Sequence, residues 1–384
     1  MDYETIYNSN KQESLFGRYI TLNDIEPILL KFNTNNQLKK IGFSVQNKPI
    51  YSYTIGSGKI KILIWSQMHG NESTTTKSII DLLNLLQNNS RLSSSFLRNF
   101  TFCIIPILNP DGATLYTREN ANKIDLNRDF KELSQPESNI LMQVFEDFNP
   151  DFCYNMHDQR TIYGIESSRL PATVSFLAPS YNSDREYNKN RIKAASIIID
   201  MNKVLQQYIP NQVGRFDDGF NDNCAGETFQ SKGIPTILFE SGHFIDDFDR
   251  ETTRKYIFIA MVASFIAIDN NTLKLNIIDD YLKIPKNNAK FFDFIYKNIK
   301  IIRNNSEETI TFAVQYLEEL KDNKIEFNAK IEKIENLENC FGHFEFDAKG
   351  LLFNNNEVFE PKLESNANFK LGDNIHIING KMHN

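Results

Sequence analysis

The sequence lacks the features that mark most specialised protein classes. No long block of like charges occurs, and 42 Lys+Arg against 49 Asp+Glu leave a formal charge of −7. The electrostatic footprint expected for nucleic acid or an anionic membrane is therefore missing. No apolar run approaches the ~20 residues of a membrane span. The longest, Ile257 to Ile268 (IFIAMVASFIAI), follows the charged stretch DRETTRK and reads as a buried helix. The opening MDYETIYNSN has neither the basic nor the apolar stretch of a secretory signal, so the expected location is cytoplasmic. Cysteine is scarce. Cys103, Cys153, Cys224 and Cys340 lie far apart with no CxxC pair, which argues against both a disulfide framework and a thiolate zinc site.

What is present is an ordinary globular composition, 41% hydrophobic over 384 residues, too long for one core, since cores stop growing beyond ~250–300 residues. Asn is abundant but spread along the whole chain, which reads as compositional bias. Apolar β-branched runs (IGFSVQNKPIYSYTI, KIKILIWSQ, TFCIIPIL, DFCYNM, IPTILF) alternate with stretches of helical period (Ser73–Gln87, Pro136–Phe148, Asn188–Tyr208, Thr252–Ile268). That alternation predicts an α/β domain over residues 1–271, with a mixed, mostly parallel sheet covered by helices on both faces. After Asn270-Asn271 the texture changes to Lys, Asn and Glu between short apolar runs. Residues 272–384 are expected to form a small α+β or β-rich domain of unknown role, with helices around Phe291–Ile302 and Glu307–Leu320 followed by strands.

In open α/β sheets ligands collect beyond the carboxyl ends of the strands, so polar residues just after apolar runs draw attention. His69-Gly70-Asn71-Glu72 follows ILIWSQM, and His157 with Asp158 ends DFCYNM. Two His and one Glu make a three-ligand set that leaves a zinc position open for water, as metal-assisted hydrolysis requires. Taken singly, each is also consistent with a turn or a structural histidine. Asn109–Phe130 (NPDGATLYTRENANKIDLNRDF) concentrates Arg118, Asp125, Asn127, Arg128 and Asp129 after another strand, and Glu240 leaves the buried run IPTILF.

With HGNE, NPDG, DLNRDF, a strand-end His and a late strand-end Glu in this order, the sequence resembles the zinc carboxypeptidases, the carboxypeptidase A-like (M14) metallopeptidases, over roughly residues 15 to 268. The resemblance implies one zinc ion held by His69, Glu72 and His157, with Glu240 as general base. It implies Arg118 as the cation that polarises the scissile carbonyl, Asn127 and Arg128 as the grip on a substrate's terminal carboxylate, and Asp125 as the group orienting His69. The expected fold is the zinc carboxypeptidase one, and the expected substrate is a peptide. Neither nucleic acid nor membrane is expected as a partner.

The sequence departs from the family at one point. The region before Glu240 (GRFDDGFNDNCAGE) has no Tyr to cap the substrate. Phe220 could cover a substrate without donating a hydrogen bond, Tyr163 and Tyr181 are unplaced, and His243 reads as structural. Glu227, with Asp217, Asp218 and Asp222 before it, stands where the resemblance puts the pocket for the terminal side chain and would favour a cationic one; otherwise it caps a turn. Alternatives to a carboxypeptidase are a deacylase resembling aspartoacylase or succinylglutamate desuccinylase, an amidase acting on cell-wall peptides, and a catalytically dead binding module.

Overall fold

A computed structural model describes residues 1–270, 276–335 and 337–383. The chain divides into two compact units, Met1–Gln159 with Ala172–Asn287, and Arg160–Pro171 with Asn288–Asn384. The boundary expected after residue 271 falls outside the described residues. The contacts put it after Asn287, and they assign the segment Arg160–Pro171 to the second unit, which nothing in the sequence pattern had indicated.

The first unit is built on an eight-stranded sheet. Its strands are β1 (Leu38–Phe43), β2 (Pro49–Gly56), β3 (Ile60–Ser66), β4 (Phe100–Ile105) and β5 (Phe152–Asp158). After a short hairpin, β6 (Gly164–Ile165) and β7 (Leu170–Pro171), which is a separate sheet, come β8 (Val174–Leu177), β9 (Val213–Arg215) and β10 (Thr236–Ser241). The order is β1-β2-β4-β3-β5-β10-β8-β9. The four strands β4, β3, β5 and β10 run parallel at the centre, as does the β8–β9 pair, and the remaining pairings are antiparallel. The mixed, mostly parallel sheet predicted from the alternating pattern is present.

Helices cover both faces. They are α1 (Tyr3–Asn8), α2 (Leu22–Phe32), α3 (Thr74–Gln87), α4 (Arg91–Asn99), α5 (Pro110–Leu115), α6 (Pro136–Phe148), α7 (Lys189–Leu205), α8 (Ala225–Ser231), α9 (Glu251–Asp269) and α10 (Ile278–Leu282). In β3, Ile62 and Ile64 enter the larger core with residues of α3, α7 and α9, while Leu63 and Trp65 enter a second core with residues of α6 and α8. A strand buried on both faces must be apolar at every position, which is why it reads as a run rather than an alternation. Trp65 meets Phe229 edge-on at 5.4 Å, and Phe229 stacks on Phe145 at 4.1 Å. Each such side chain contributes roughly 1.5–3 kcal/mol by burial.

Helix α3 is pinned to α9 by the fully buried pair Arg254 and Asp81, joined by two hydrogen bonds of 2.6 and 2.7 Å. Removing one partner would strand a buried charge, at a cost of about 3–5 kcal/mol. The run Ile257–Ile268 lies in α9, almost entirely buried. Among the described residues no helix is long and apolar enough to cross a membrane. Part of the Asn abundance has a structural use, since Asn47, Asn149, Asn211 and Asn323 all adopt left-handed backbone, a conformation Asn tolerates better than most residues.

The second unit is β-rich. Strands β11 (Phe291–Arg303), β12 (Ser306–Lys321), β13 (Lys324–Ile334) and β14 (Phe341–Asp347) form one sheet in the order β13-β12-β11-β14. Strands β15 (Phe353–Asn354), β16 (Phe369–Leu371), β17 (Ile375–Ile378) and β18 (Lys381–His383) form another. The helices expected around Phe291–Ile302 and Glu307–Leu320 are therefore strands. In β12 the inward residues Ile310, Phe312 and Val314 alternate strictly. In β11 the register shifts between Tyr296 and Ile299, with Asn298 at φ 54°. A bulge of this kind breaks the two-residue period and leaves apolar spacings that imitate a helix.

Candidate active site

The loop after β3 is held from two sides. Gln67 Nε2 donates to Ile20 O and Gly70 O, both at 2.8 Å, and Asn109 Nδ2 donates to Met68 O at 3.1 Å while Asn109 Oδ1 accepts from Gly112 N at 2.8 Å. Gly70 lies directly on the backbone of α5, where an added Cβ would stand 1.9 Å from Gly112 C and 2.2 Å from Ala113 N. HGNE and NPDG are thus two sides of one close contact. Asp111 serves the same scaffold, accepting from Gln46 N at 2.9 Å and pairing with Lys48 at 3.5 Å.

His69, Glu72 and His157 converge. His69 Nδ1 is 2.7 Å from Glu72 Oε1, His157 Nδ1 is 2.8 Å from Glu72 Oε2, and the two Nδ1 atoms are 3.1 Å apart. All three residues are buried. Lone-pair atoms gathered this closely, away from water, require protons or a cation between them, and a His-Glu-His donor set suits zinc. The far nitrogen of His69, Nε2, is 2.9 Å from Asp125 Oδ1, an arrangement that fixes the ring and leaves Nδ1 facing the other donors. Burial alone would raise the Glu72 carboxyl, but the two imidazoles outweigh it and hold it well below the usual range. Burial would likewise raise Asp125, and His69 and Arg118 bring it down.

Glu240 is paired in register with His157 across the parallel strands β10 and β5, so both leave the sheet at the same edge. It is buried, and burial, reinforced by Glu72 and Asp158, pushes its carboxyl well above the ordinary value. Asp158 has a use the sequence reading did not see. Ser73 gives no side-chain cap to α3, and the Asp158 carboxylate accepts from Thr74 N at 2.9 Å instead, while Asp158 N donates to Glu72 Oε2 at 3.1 Å.

Arg118 is half-exposed and bridges two carboxylates, donating Nε to Asp125 at 3.0 Å and Nη1 to Glu72 at 3.2 Å. Asn127 accepts through Oδ1 from Ala225 N at 3.1 Å, so the amide NH2 is the group it can offer to a ligand. Arg128 is exposed and donates Nη1 to Asn127 O at 2.8 Å and to Cys224 Sγ at 3.0 Å, a thiol contact that no sequence signal announces. Glu227 sits in the first turn of α8, as a helix-end carboxylate would. Burial pushes its carboxyl up to about 7 against the pull of Arg128 and Arg191.

The three neighbouring Asp residues have other partners. Asp218 binds Arg191 at 2.7 Å, Asp222 binds Lys131 at 2.7 Å and Asp217 faces Lys286 at 3.4 Å. Tyr181 commits its hydroxyl to Glu186 at 2.7 Å, and Tyr163 belongs to the second unit. All four cysteines are unpaired.

A sequence profile of the family described as zinc carboxypeptidase matches residues 26–152. Over that third of its length the chain is similar to the zinc carboxypeptidase family. The match takes in His69, Glu72, Arg118, Asp125, Asn127 and Arg128 and ends before His157 and Glu240, which the fold brings to the same place. Zinc is the metal of this family, and the His-Glu-His group could hold it.

Among curated relatives, carboxypeptidase SOL1 of Arabidopsis thaliana is 30% identical over 152 residues, 34% of this chain and 31% of that one. Carboxypeptidase 2 of Trichophyton rubrum is 28% identical over 102 residues, 27% of this chain and 19% of that one. The chain thus spans less than a third of either relative. In fold it is similar to the metallo-carboxypeptidase from Burkholderia cenocepacia, with a TM-score of 0.53 and 18% identity over 66% of this chain and 69% of that one. It is also similar to the carboxypeptidase A from Helicoverpa armigera, with a TM-score of 0.53 and 14% identity over 71% of this chain and 79% of that one.

Proposed function

We propose that this chain is a zinc-dependent carboxypeptidase that hydrolyses the last peptide bond of a substrate with a free C-terminus. The observation that carries the reading is the convergence of His69, Glu72 and His157 at the strand edge shared with Glu240. A zinc ion held by those three would supply Lewis acidity and a water acidic enough to act near neutral pH. In this reading Glu240 accepts the proton of the attacking water and delivers it to the leaving amine. Arg118, already fixed by Glu72 and Asp125, offers its remaining N–H groups to the charge growing on the carbonyl oxygen. Unpaired cysteines support a reducing, cytoplasmic location.

The direct test is mass spectrometry of a mixed peptide library after incubation with zinc-loaded protein, with N-acetylaspartate as a control substrate. Loss of single C-terminal residues, abolished by chelation and restored by zinc, is expected. Full activity after verified metal removal, or cleavage of the N-acyl amino acid alone, would refute the reading.

Asn127 and Arg128 are assigned to the terminal carboxylate because a planar guanidinium and an amide NH2 can bind it from two directions. Arg128→Ala should raise KM for peptides with a free C-terminus by about 10–100-fold, the worth of a charge-assisted hydrogen bond, and should barely affect amidated ones. Equal losses on both would place the grip elsewhere.

We assign Glu227 to the side-chain pocket, where a carboxylate would favour Lys or Arg. With its carboxyl raised to about 7, the group is neutral below that pH and charged above it. The ratio of kcat/KM for peptides ending in Lys over those ending in Leu should therefore rise as pH passes through about 7 and stay flat in Glu227→Gln. A pH-independent ratio in the wild type would remove Glu227 from the pocket.

A further inference from the structure

We infer that Arg250 is a positioning residue for this site, locking together the ends of the two strands that carry His157 and Glu240; the inference rests on the roles proposed above for those two side chains. The last register pair of β5 and β10 is Asp158 with Ser241, one residue beyond His157 and Glu240. Past that pair Gln159 N still donates to Ser241 O at 2.8 Å and Thr253 Oγ1 to Gly242 O at 3.3 Å, whereas the buried Gln159 carbonyl would cost about 1–3 kcal/mol if left without donors.

The Arg250 guanidinium, fully buried, supplies them. Nη1 donates to Ser241 O at 2.7 Å and also to Gly242 O, and Nη2 donates to Gln159 O at 2.8 Å. One planar group thus spans both strand ends. The turn it grips is tight, since a Cβ on Gly242 would lie 1.9 Å from Ala172 O and 2.4 Å from Gln159 Nε2.

The backbone supports the same conclusion. Arg250 precedes α9 with φ 58° and ψ 30°, left-handed geometry that costs a non-glycine residue about 1–2 kcal/mol. Elsewhere this chain often fills such positions with Asn. A long, fully buried cation held there at that cost is explained by what its guanidinium reaches.

The test uses the full chain with Arg250→Lys, which keeps the charge but not the fork, and Arg250→Gly, whose backbone accepts the left-handed turn. Zinc affinity is measured by competition with a chromophoric chelator, and kcat and KM on a peptide with a free C-terminus. In both variants zinc affinity should fall about tenfold and kcat about 10–100-fold, with KM nearly unchanged. Millimolar methylguanidinium should restore part of both in Arg250→Gly.

Unchanged zinc affinity and kcat in a folded variant would overturn the inference. So would losses that only follow the folded fraction and do not respond to methylguanidinium. A wild type that binds zinc but cleaves no peptide would sink the functional reading alone, because the comparison of zinc affinities still decides the role of Arg250.

Discussion

Glu240→Gln is expected to keep its zinc and to lose about 10²–10⁴-fold in kcat, the usual contribution of a general base. The amide matches the carboxylate in size but cannot accept a proton from water. Glu240 lies outside the convergent trio of donors, on the neighbouring strand, so metal content should not change. Stability gives a second readout. In the metal-free protein the folded carboxyl is raised above its ordinary value. Over the interval between those values the folded state holds more protons than the unfolded one, so stability falls as pH rises through it. Glutamine removes that decline. Zinc content, kcat and thermal unfolding against pH check the three statements, and a variant with wild-type turnover would place the base elsewhere.

Gly70→Ala should be among the most damaging single-methyl changes in the first unit. The new Cβ would stand 1.9 Å from Gly112 C and 2.4 Å from Gly112 O, and these are backbone atoms that no rotamer change can move away. Either the HGNE turn or α5 must shift, which displaces His69 and Glu72 from His157. Overpacking of this kind costs about 3 kcal/mol or more, a fall in melting temperature on the order of 10 °C. Zinc affinity should drop with it. A variant melting within a degree or two of wild type with undiminished zinc affinity would show that the two motifs do not depend on this contact.

Much of the first unit and the residues of its candidate site were legible in the sequence because the two coincide. Strands buried on both faces announce themselves as apolar runs, and His69, His157 and Glu240 stand out as polar residues where such runs stop. What could not be read is long-range. Asp158 caps a helix that begins with Thr74, Arg250 serves carbonyls of residues 159, 241 and 242, and Cys224 meets Arg128; none of these pairings leaves a local pattern. The acidic run before Glu227 looked like one patch, yet Asp217, Asp218 and Asp222 face three different cations. In the second unit the reading of β11 failed where its bulge hides the strand period.

The order in which the chain is made gives the divided second unit a further consequence. Its first piece, Arg160–Pro171, precedes its second, Asn288–Asn384, with all of Ala172–Asn287 between them. At about 5–20 residues per second on the ribosome, the β6–β7 hairpin emerges many seconds before the strands it belongs with. Ile165, buried in the finished protein, is exposed meanwhile. A ribosome that stalls or a message that ends near residue 271 would therefore yield more than a shortened chain. It would release a chain with an orphaned hairpin that begins seven residues after His157, a natural target for chaperones and proteases.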